Sequence, residues 1–197
     1  MVEHRLIGSY LGVPSHTLKS GKLLPEEHMK LSDALQHLQN MNIYIEDKVI
    51  DSGTIAREAR RLKKERNIGI VFIDYLQLLD PPKDEKRISA TQSREREISV
   101  ISSRLKRLSK ELDIPVVALS QLSRESERAG RRPILSDLRE SGSLEQDADT
   151  VIFLHRDNDS PDYLDCIVAK NRNGGIGSET IRFHKDIGEF SEIRIGK

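Results

Sequence analysis

A single carboxylate closes the greasiest run in this sequence. Asn67-Ile68-Gly69-Ile70-Val71-Phe72-Ile73 shows no polar/apolar alternation and leads directly into Asp74-Tyr75-Leu76-Gln77-Leu78-Leu79-Asp80, with Pro81-Pro82 behind it. Such a run reads as a strand buried on both faces, the central strand of a parallel sheet covered by helices. Ligands in open α/β sheets bind beyond the carboxyl ends of the strands, and an aspartate in that place is how a P-loop NTPase holds Mg²⁺. Taken alone, Asp74 reads as readily as a turn residue.

Three further groups have the types and spacing for phosphate chemistry. Gln121 follows a second apolar run, Val116-Val117-Ala118-Leu119-Ser120. An amide there hydrogen-bonds a phosphate oxygen or a bound water without adding charge, or else caps loop backbone groups. Lys170 and Arg172 lie two residues apart on a third run and so point the same way. They form a two-cation clamp of the kind that stabilises a transferring phosphoryl group, or simply two solvated bases on a hairpin. The passage from Ser136 to Asp149 is too polar for core and too long for a tight turn. Arg139, Ser141, Ser143 and the backbone amides near Gly142 can grip phosphates along one DNA strand, which fixes position without reading sequence. Glu140, Glu145, Asp147 and Asp149 oppose a simple basic patch.

The elements that must position these groups follow from periodicity and punctuation. Leu6, Ile7 and Tyr10 share a helical face that Gly12-Val13-Pro14 stops, and Ser15 caps a short helix ending near Gly21. Leu24-Pro25-Glu26-Glu27 opens another helix, with proline in its first turn and acids at its positive end. Asn42 to Glu46 reads as a short strand. Asp51 or Ser52 caps a helix from Thr54 to about Arg66 whose basic run, Arg57, Arg60, Arg61, Lys63, Lys64 and Arg66, reads as a solvated face interleaved with acids. Pro81 to Thr91 is a charged loop. Ile98, Ile101, Leu105, Leu108 and Leu112 mark a long helix from about Ser93 that Asp113-Ile114-Pro115 ends. Strand, helix and strand then make a right-handed crossover unit. Leu122 to Ser136 is a basic loop carrying Arg124, Arg128, Arg131 and Arg132. Thr150 to His155, Tyr163 to Arg172 and Ser178 to His184 are strands, the last two joined as a hairpin through Asn173-Gly174-Gly175-Ile176-Gly177. A last short strand spans Glu189 to Ile195.

Composition narrows the function classes. The 197 residues hold 32 Lys+Arg against 32 Asp+Glu, a formal net charge of zero. A protein coating nucleic acid by bulk electrostatics is normally basic, so DNA binding here needs local loops or loops repeated around an oligomer. No tryptophan and few aromatics make base stacking a poor prospect. Cys166 is the lone cysteine, which excludes an internal disulfide and a thiolate metal cage; it reads as a buried strand thiol. The six histidines have no ligand spacing. No run reaches transmembrane length and the start has no signal layout, so the expected location is cytoplasmic, with no membrane partner.

Ile73-Asp74-Tyr75-Leu76-Gln77-Leu78, Ser120-Gln121-Leu122-Ser123-Arg124, the passage from Asp137 to Asp149, and Ala169-Lys170-Asn171-Arg172-Asn173-Gly174 together closely resemble the RecA-like motor domain of DnaB-type replicative helicases. The likeness runs in order over essentially the whole chain. Its most specific part is Asp137–Asp149, because related RecA-fold ATPases share the strand aspartate and not that loop. The resemblance implies an α/β fold: a RecA-like P-loop NTPase core, a largely parallel sheet flanked by helices, with a C-terminal β-hairpin and the N-terminal part of the core absent. It implies one partial motor domain over residues 1–197. Residues 1–50 give a helical segment and short strand, and residues 51–197 the portion that carries the site.

The implied activity is that of a hexameric ring that encircles single-stranded DNA, hydrolyses ATP between subunits, moves 5′ to 3′ and separates the duplex during replication. By position, Asp74 matches the aspartate that orders Mg²⁺ through water, and Gln121 the sensor linking the γ-phosphate to DNA contact. Lys170 and Arg172 match a clamp reaching into the next subunit's site. Arg139, Glu140 and Gly142 match a central-channel loop on the DNA backbone, and Gln92 to Arg96 a second one. Primase and a helicase loader are the implied partners, ATP and Mg²⁺ the implied cofactors.

The sequence contains no G-x-x-x-x-G-K-[ST]. In the family that loop and the catalytic carboxylate precede the position of Met1. The expectation is the C-terminal part of a helicase from a split or shortened reading frame, inactive in ATP hydrolysis by itself. Two other classes remain open. One is a non-catalytic ring-associated module or degenerate copy; the other, disfavoured by the Asp137–Asp149 loop, is a RecA-fold recombination ATPase.

Overall fold

The computed structural model describes residues 2–48, 51–80, 94–122, 130–141, 143–157 and 160–193. The charged loop from Pro81 to Thr91, with Gln92 and Ser93 after it, lies outside these, as do Arg124, Arg128 and Gly142. The chain divides into two interleaved compact units. One comprises Met1–Tyr44, Phe153–Ile167 and Gly177–Lys197; the other comprises Ile45–Ile152 and Val168–Ile176.

The first unit opens with α1 (Val2–Leu11), α2 (Ser15–Ser20) and α3 (Pro25–Gln39). Helix α2 stops at Gly21, whose φ of 67° is left-handed and suits a residue without Cβ. Helix α3 starts as its sequence dictates: Pro25 occupies the first turn, and the Glu27 carboxylate accepts the Leu24 N–H at 2.7 Å. Tyr10 of α1 stacks on His37 of α3, ring centroids 4.8 Å apart. Within the same unit β5 (Gly177–His184) and β6 (Glu189–Glu192) pair antiparallel, with Phe183 opposite and stacked on Phe190. Strands β3 (Thr150–His155) and β4 (Tyr163–Asn171) are each divided between the units, and the sheet order is β3-β4-β5-β6.

The second unit carries the parallel strands. Asp51 caps α4 (Ser52–Arg66), accepting the Thr54 N–H at 2.9 Å and the Thr54 hydroxyl at 2.8 Å. Asn67 closes the helix with φ 50°, a conformation asparagine tolerates. Strand β1 (Val71–Ile73) and strand β2 (Val116–Ala118) pair in parallel, Phe72 beside Val117, with the long helix α5 (Arg94–Leu112) connecting them. Ala59 of α4, Ile73, Leu76 and Leu79, and Ile98, Ile101, Leu105 and Leu108 of α5 form one buried cluster. A 3-10 segment (Leu135–Ser141) and the single-turn helix α6 (Leu144–Asp147) follow.

Three expectations change. The central strand is not buried on both faces: helices α4 and α5 both pack on the Ile73 side, and Phe72 on the other is 70% exposed, with Ile70, Val117 and Leu119 also open. The strand is also short, because the chain turns into a 3-10 segment at Leu76–Leu78. Asn42–Glu46 forms no strand, for no described strand pairs with it, and Ile43, Tyr44 and Ile45 are exposed. Cys166 is a half-buried free thiol on β4, not a fully buried one. The basic face of α4 is, as expected, interleaved with acids: Arg60 forks onto Glu111 of α5 at 2.6 and 2.7 Å, and Arg61 pairs with Glu58 and Glu65. No helix among the described residues is long and apolar enough to cross a membrane.

Candidate active site

Asp74 and Gln121 stand at neighbouring strand ends because β1 and β2 run parallel in register. The pairing continues past both strands: Leu119 N–H donates to Ile73 O at 2.9 Å, and Leu76 N–H donates to Leu119 O at 3.0 Å. The Asp74–Tyr75 peptide bond between them is cis. The Asp74 carboxylate is exposed and makes no hydrogen bond or ion pair with the described residues.

Gln77 joins the two ends. From the 3-10 turn its side-chain Nε2 donates to Ser120 Oγ at 2.9 Å and to Gln121 O at 3.3 Å, while its Oε1 accepts the Gln121 N–H at 3.3 Å. Leu76, 1% exposed, anchors that turn in the core, and Leu78 on its far side is 62% exposed. Arg94, at the start of α5, donates to the carbonyl oxygens of Gln77 and Leu79, both at 2.9 Å, and pairs with Glu97. The turn is therefore held from three sides by groups distant in sequence.

The second constellation is built where the polar passage meets β4. Lys170 Nζ donates to Glu145 O. Arg172 donates to Gln146 O at 2.6 Å and pairs with the Asp149 carboxylate at 3.2 Å, and its backbone N–H donates to Asp149 O at 2.9 Å. The two cations do point the same way, as their spacing requires. Both dock on carbonyls of α6, whose last-turn oxygens have no helical partner and attract positive charge.

Two of the acids that oppose a basic-patch reading, Asp147 and Asp149, are anchors, and so is Asp137. Asp137, nearly buried, accepts a bidentate fork from Arg131, both contacts 2.9 Å, and the Ile134 N–H at 2.8 Å. The fork raises the Arg131 pKa above its usual value. Asp147 accepts from the Ser102 hydroxyl at 2.6 Å, and Asp149 takes the Lys106 ammonium. Ser102 and Lys106 are one turn apart on α5 and so reach neighbouring acids. Hydrogen bonding to Lys106 holds the Asp149 carboxyl below the usual range, with the charges of Lys106, Arg172 and Lys110 adding to it and partial desolvation opposing.

The structure thus brings the expected residues together in two pairs, Asp74 with Gln121 and Lys170 with Arg172. Arg139 and Glu140 fall in the 3-10 segment Leu135–Ser141, and Gly142 lies outside the described residues. Sequence reasoning did not single out Gln77, Ser102 or Lys106, and it included Arg94 only within the expected second channel loop, Gln92 to Arg96. The available signal for Gln77 was a lone amide between two leucines in Leu76-Gln77-Leu78.

One exposed carboxylate is a donor set that suits Mg²⁺, which keeps several waters and takes one or two carboxylates plus phosphate oxygens. Among the described residues no three His, Cys, Asp or Glu side chains are grouped as a metal site. An all-protein cage would need such a group, and a water-mediated Mg²⁺ does not.

Comparison with known proteins places these residues in context. A family model, the DnaB-like helicase C terminal domain, matches residues 1–192. The chain is 42% identical over 197 residues to the replicative DNA helicase DnaB of Geobacillus stearothermophilus, covering 96% of this chain and 42% of that protein. It is 40% identical to the replicative DNA helicase DnaC of Bacillus subtilis (strain 168), with the same shares. The chain therefore spans about two fifths of these relatives, 42% in each case. Among solved structures, one described as an ATPase domain superimposes with a TM-score of 0.85 at 39% identity, over 98% of this chain and 70% of that one. A DnaB-like replicative helicase, solved in a study of its interactions with primase, superimposes with a TM-score of 0.86 at 39% identity, over 98% and 47%.

Proposed function

The chain belongs to the DnaB-like helicase C-terminal domain family and has its RecA-like α/β fold, and from that premise we propose that it is the nucleotide-hydrolysing, DNA-moving part of a hexameric replicative helicase. The observation that carries the reading is the pairing of an exposed Asp74 carboxylate, unpartnered among the described residues, with Gln121 on the adjacent strand end.

In this reading Asp74 holds Mg²⁺ through water beside bound ATP. When bound, Mg²⁺ neutralises charge on the β- and γ-phosphates. Gln121 hydrogen-bonds the terminal phosphate and reports its state to the DNA contacts. Lys170 and Arg172 leave the α6 carbonyls and stabilise the phosphoryl charge in the neighbouring subunit's site, an arrangement worth orders of magnitude in rate where it occurs. Arg139, Glu140 and Gly142 contact the backbone of single-stranded DNA. Six copies of so modest a loop supply the phosphate contacts that a net charge of zero does not. Movement is 5′ to 3′. Primase and a loader are the partners by family likeness.

These 197 residues include no phosphate-cradling lysine loop, so the assay needs one supplied. The test grafts the chain in place of the matching residues of the Geobacillus stearothermophilus relative. The graft is expected to hydrolyse ATP faster when single-stranded DNA is added. Asp74→Asn should abolish turnover. Mixing Asp74→Asn subunits with Arg172→Ala subunits should restore part of it, since some interfaces then carry both intact groups. Turnover unchanged by Asp74→Asn would refute the reading. The purified 197-residue chain by itself is expected not to turn over ATP, and hydrolysis by it that disappears in Asp74→Asn would overturn that expectation while leaving the role of Asp74 intact.

A further inference from the structure

The polar amide of Gln77 sits where the turn has no structural need of one. Its neighbours Leu76 and Leu79 are buried in the core, and Arg94 already satisfies the carbonyls of Gln77 and Leu79. The side chain nevertheless directs all its bonding at one residue and its predecessor: the N–H and the C=O of Gln121, and the hydroxyl of Ser120. Bonding the N–H and the C=O of one residue pins the two peptide groups that flank its Cα, and hence the direction in which its side chain leaves the chain. Gln121 lies beyond the last strand bond, with no ladder to hold it.

We propose that Gln77 is a positioning residue that locks the backbone of Gln121 to the turn carrying Asp74, so that sensor and metal-holding carboxylate move as one. This rests on the roles assigned to Asp74 and Gln121 above. It also names a route. Arg94 at the start of α5 grips the backbone of the same turn, so a displacement of the α5 start reaches Gln121 through Gln77. Among the described residues, the bonds that remain between the two strand ends without Gln77 are the Leu119 and Leu76 backbone bonds.

The experiment is amide hydrogen exchange by NMR on the full 197-residue chain. The Leu119 amide, bonded to Ile73 O, serves as internal reference for the strand pair. Gln77→Met keeps length and volume but can neither donate nor accept as an amide does. It should speed Gln121 exchange relative to Leu119 by on the order of fivefold. Gln77→Glu retains an acceptor for the Gln121 N–H and should stay within about twofold of wild type. Equal Gln121-to-Leu119 ratios in wild type, Gln77→Met and Gln77→Glu would overturn the proposal. The ratio remains readable even if Gln77→Met lowers overall stability, because global opening exposes both amides alike. In the grafted helicase, Gln77→Met should also reduce the factor by which single-stranded DNA raises the ATPase rate. If the exchange ratio shifts and that factor does not, the sensor role of Gln121 fails while the positioning by Gln77 stands.

Discussion

Leu76→Ala takes three carbons out of the fully buried anchor of the site turn, while Leu78→Ala takes the same three from a side chain standing mostly in solvent. At roughly 0.8 kcal/mol per buried methylene, the transfer loss at Leu76 is about 2.4 kcal/mol. The void left in the buried cluster that Leu76 shares with Ile73, Ile98 and Ile101 cannot close completely, which brings the expected cost to about 3 kcal/mol. For Leu78 the same deletion should cost less than about 0.5 kcal/mol. The assay is urea unfolding followed by far-UV circular dichroism, since the chain has no tryptophan. The midpoint should fall sharply for Leu76→Ala and hardly at all for Leu78→Ala, with unchanged slopes. Comparable losses for the two variants, or a loss under about 1 kcal/mol at Leu76, would refute the packing argument that fixes the turn.

Further outcomes follow from the same contacts. Asp51→Ala should destabilise the chain by about 1 kcal/mol in urea unfolding, and Asp51→Ser by much less, because serine can still cap the Thr54 N–H. Asp149 titrates below its ordinary value when folded, so its contribution is present above the unfolded pKa of about 4 and is lost as the pH falls through the lower folded value. The group is largely exposed and screened, so that contribution is about 0.5 kcal/mol or less. Asp149→Asn should remove it, flattening the acid limb of a stability-against-pH curve below about pH 4 and leaving its shape above about pH 6 unchanged. Asp74→Asn should leave the unfolding midpoint where it is, since the carboxylate bonds to nothing described; a clear shift in either direction would reveal a structural role.

Helices and their ends were the most legible part of the sequence. The α5 stripe, the Asp51 cap and the Gly21 stop each depend on residues within one or two turns of each other, and local chemistry decides them. The hairpin turn Asn173–Gly177 was legible for the same reason. Faces were less so. An apolar run states that a strand is hydrophobic but not how many layers cover it, so Phe72 and Val117 read as interior and stand open. Asn42–Glu46 has a strand's composition and lacks a pairing partner among the described residues, and pairing is a property of two segments. The placement of Asp74 at a strand end and the shared direction of Lys170 and Arg172 were readable from the apolar run and from alternation. The service residues were not: Gln77 meets Gln121 across 44 positions and Ser102 meets Asp147 across 45, and no local pattern encodes such distances.

Strands β1 and β2 are three residues each, and parallel strands cannot be joined by a tight turn. Their few ladder bonds do not offset the entropy of closing the connection between them. Helix α5 lies between them in sequence and packs with Ile73 in one buried cluster, so its apolar stripe supplies the hold that the ladder bonds do not. The distance between Asp74 and Gln121 is then inherited from the apolar stripe of that helix. Ile101 and Leu105, buried in the cluster that holds Ile73 and Leu76, act as the template on which the two strand ends are set side by side.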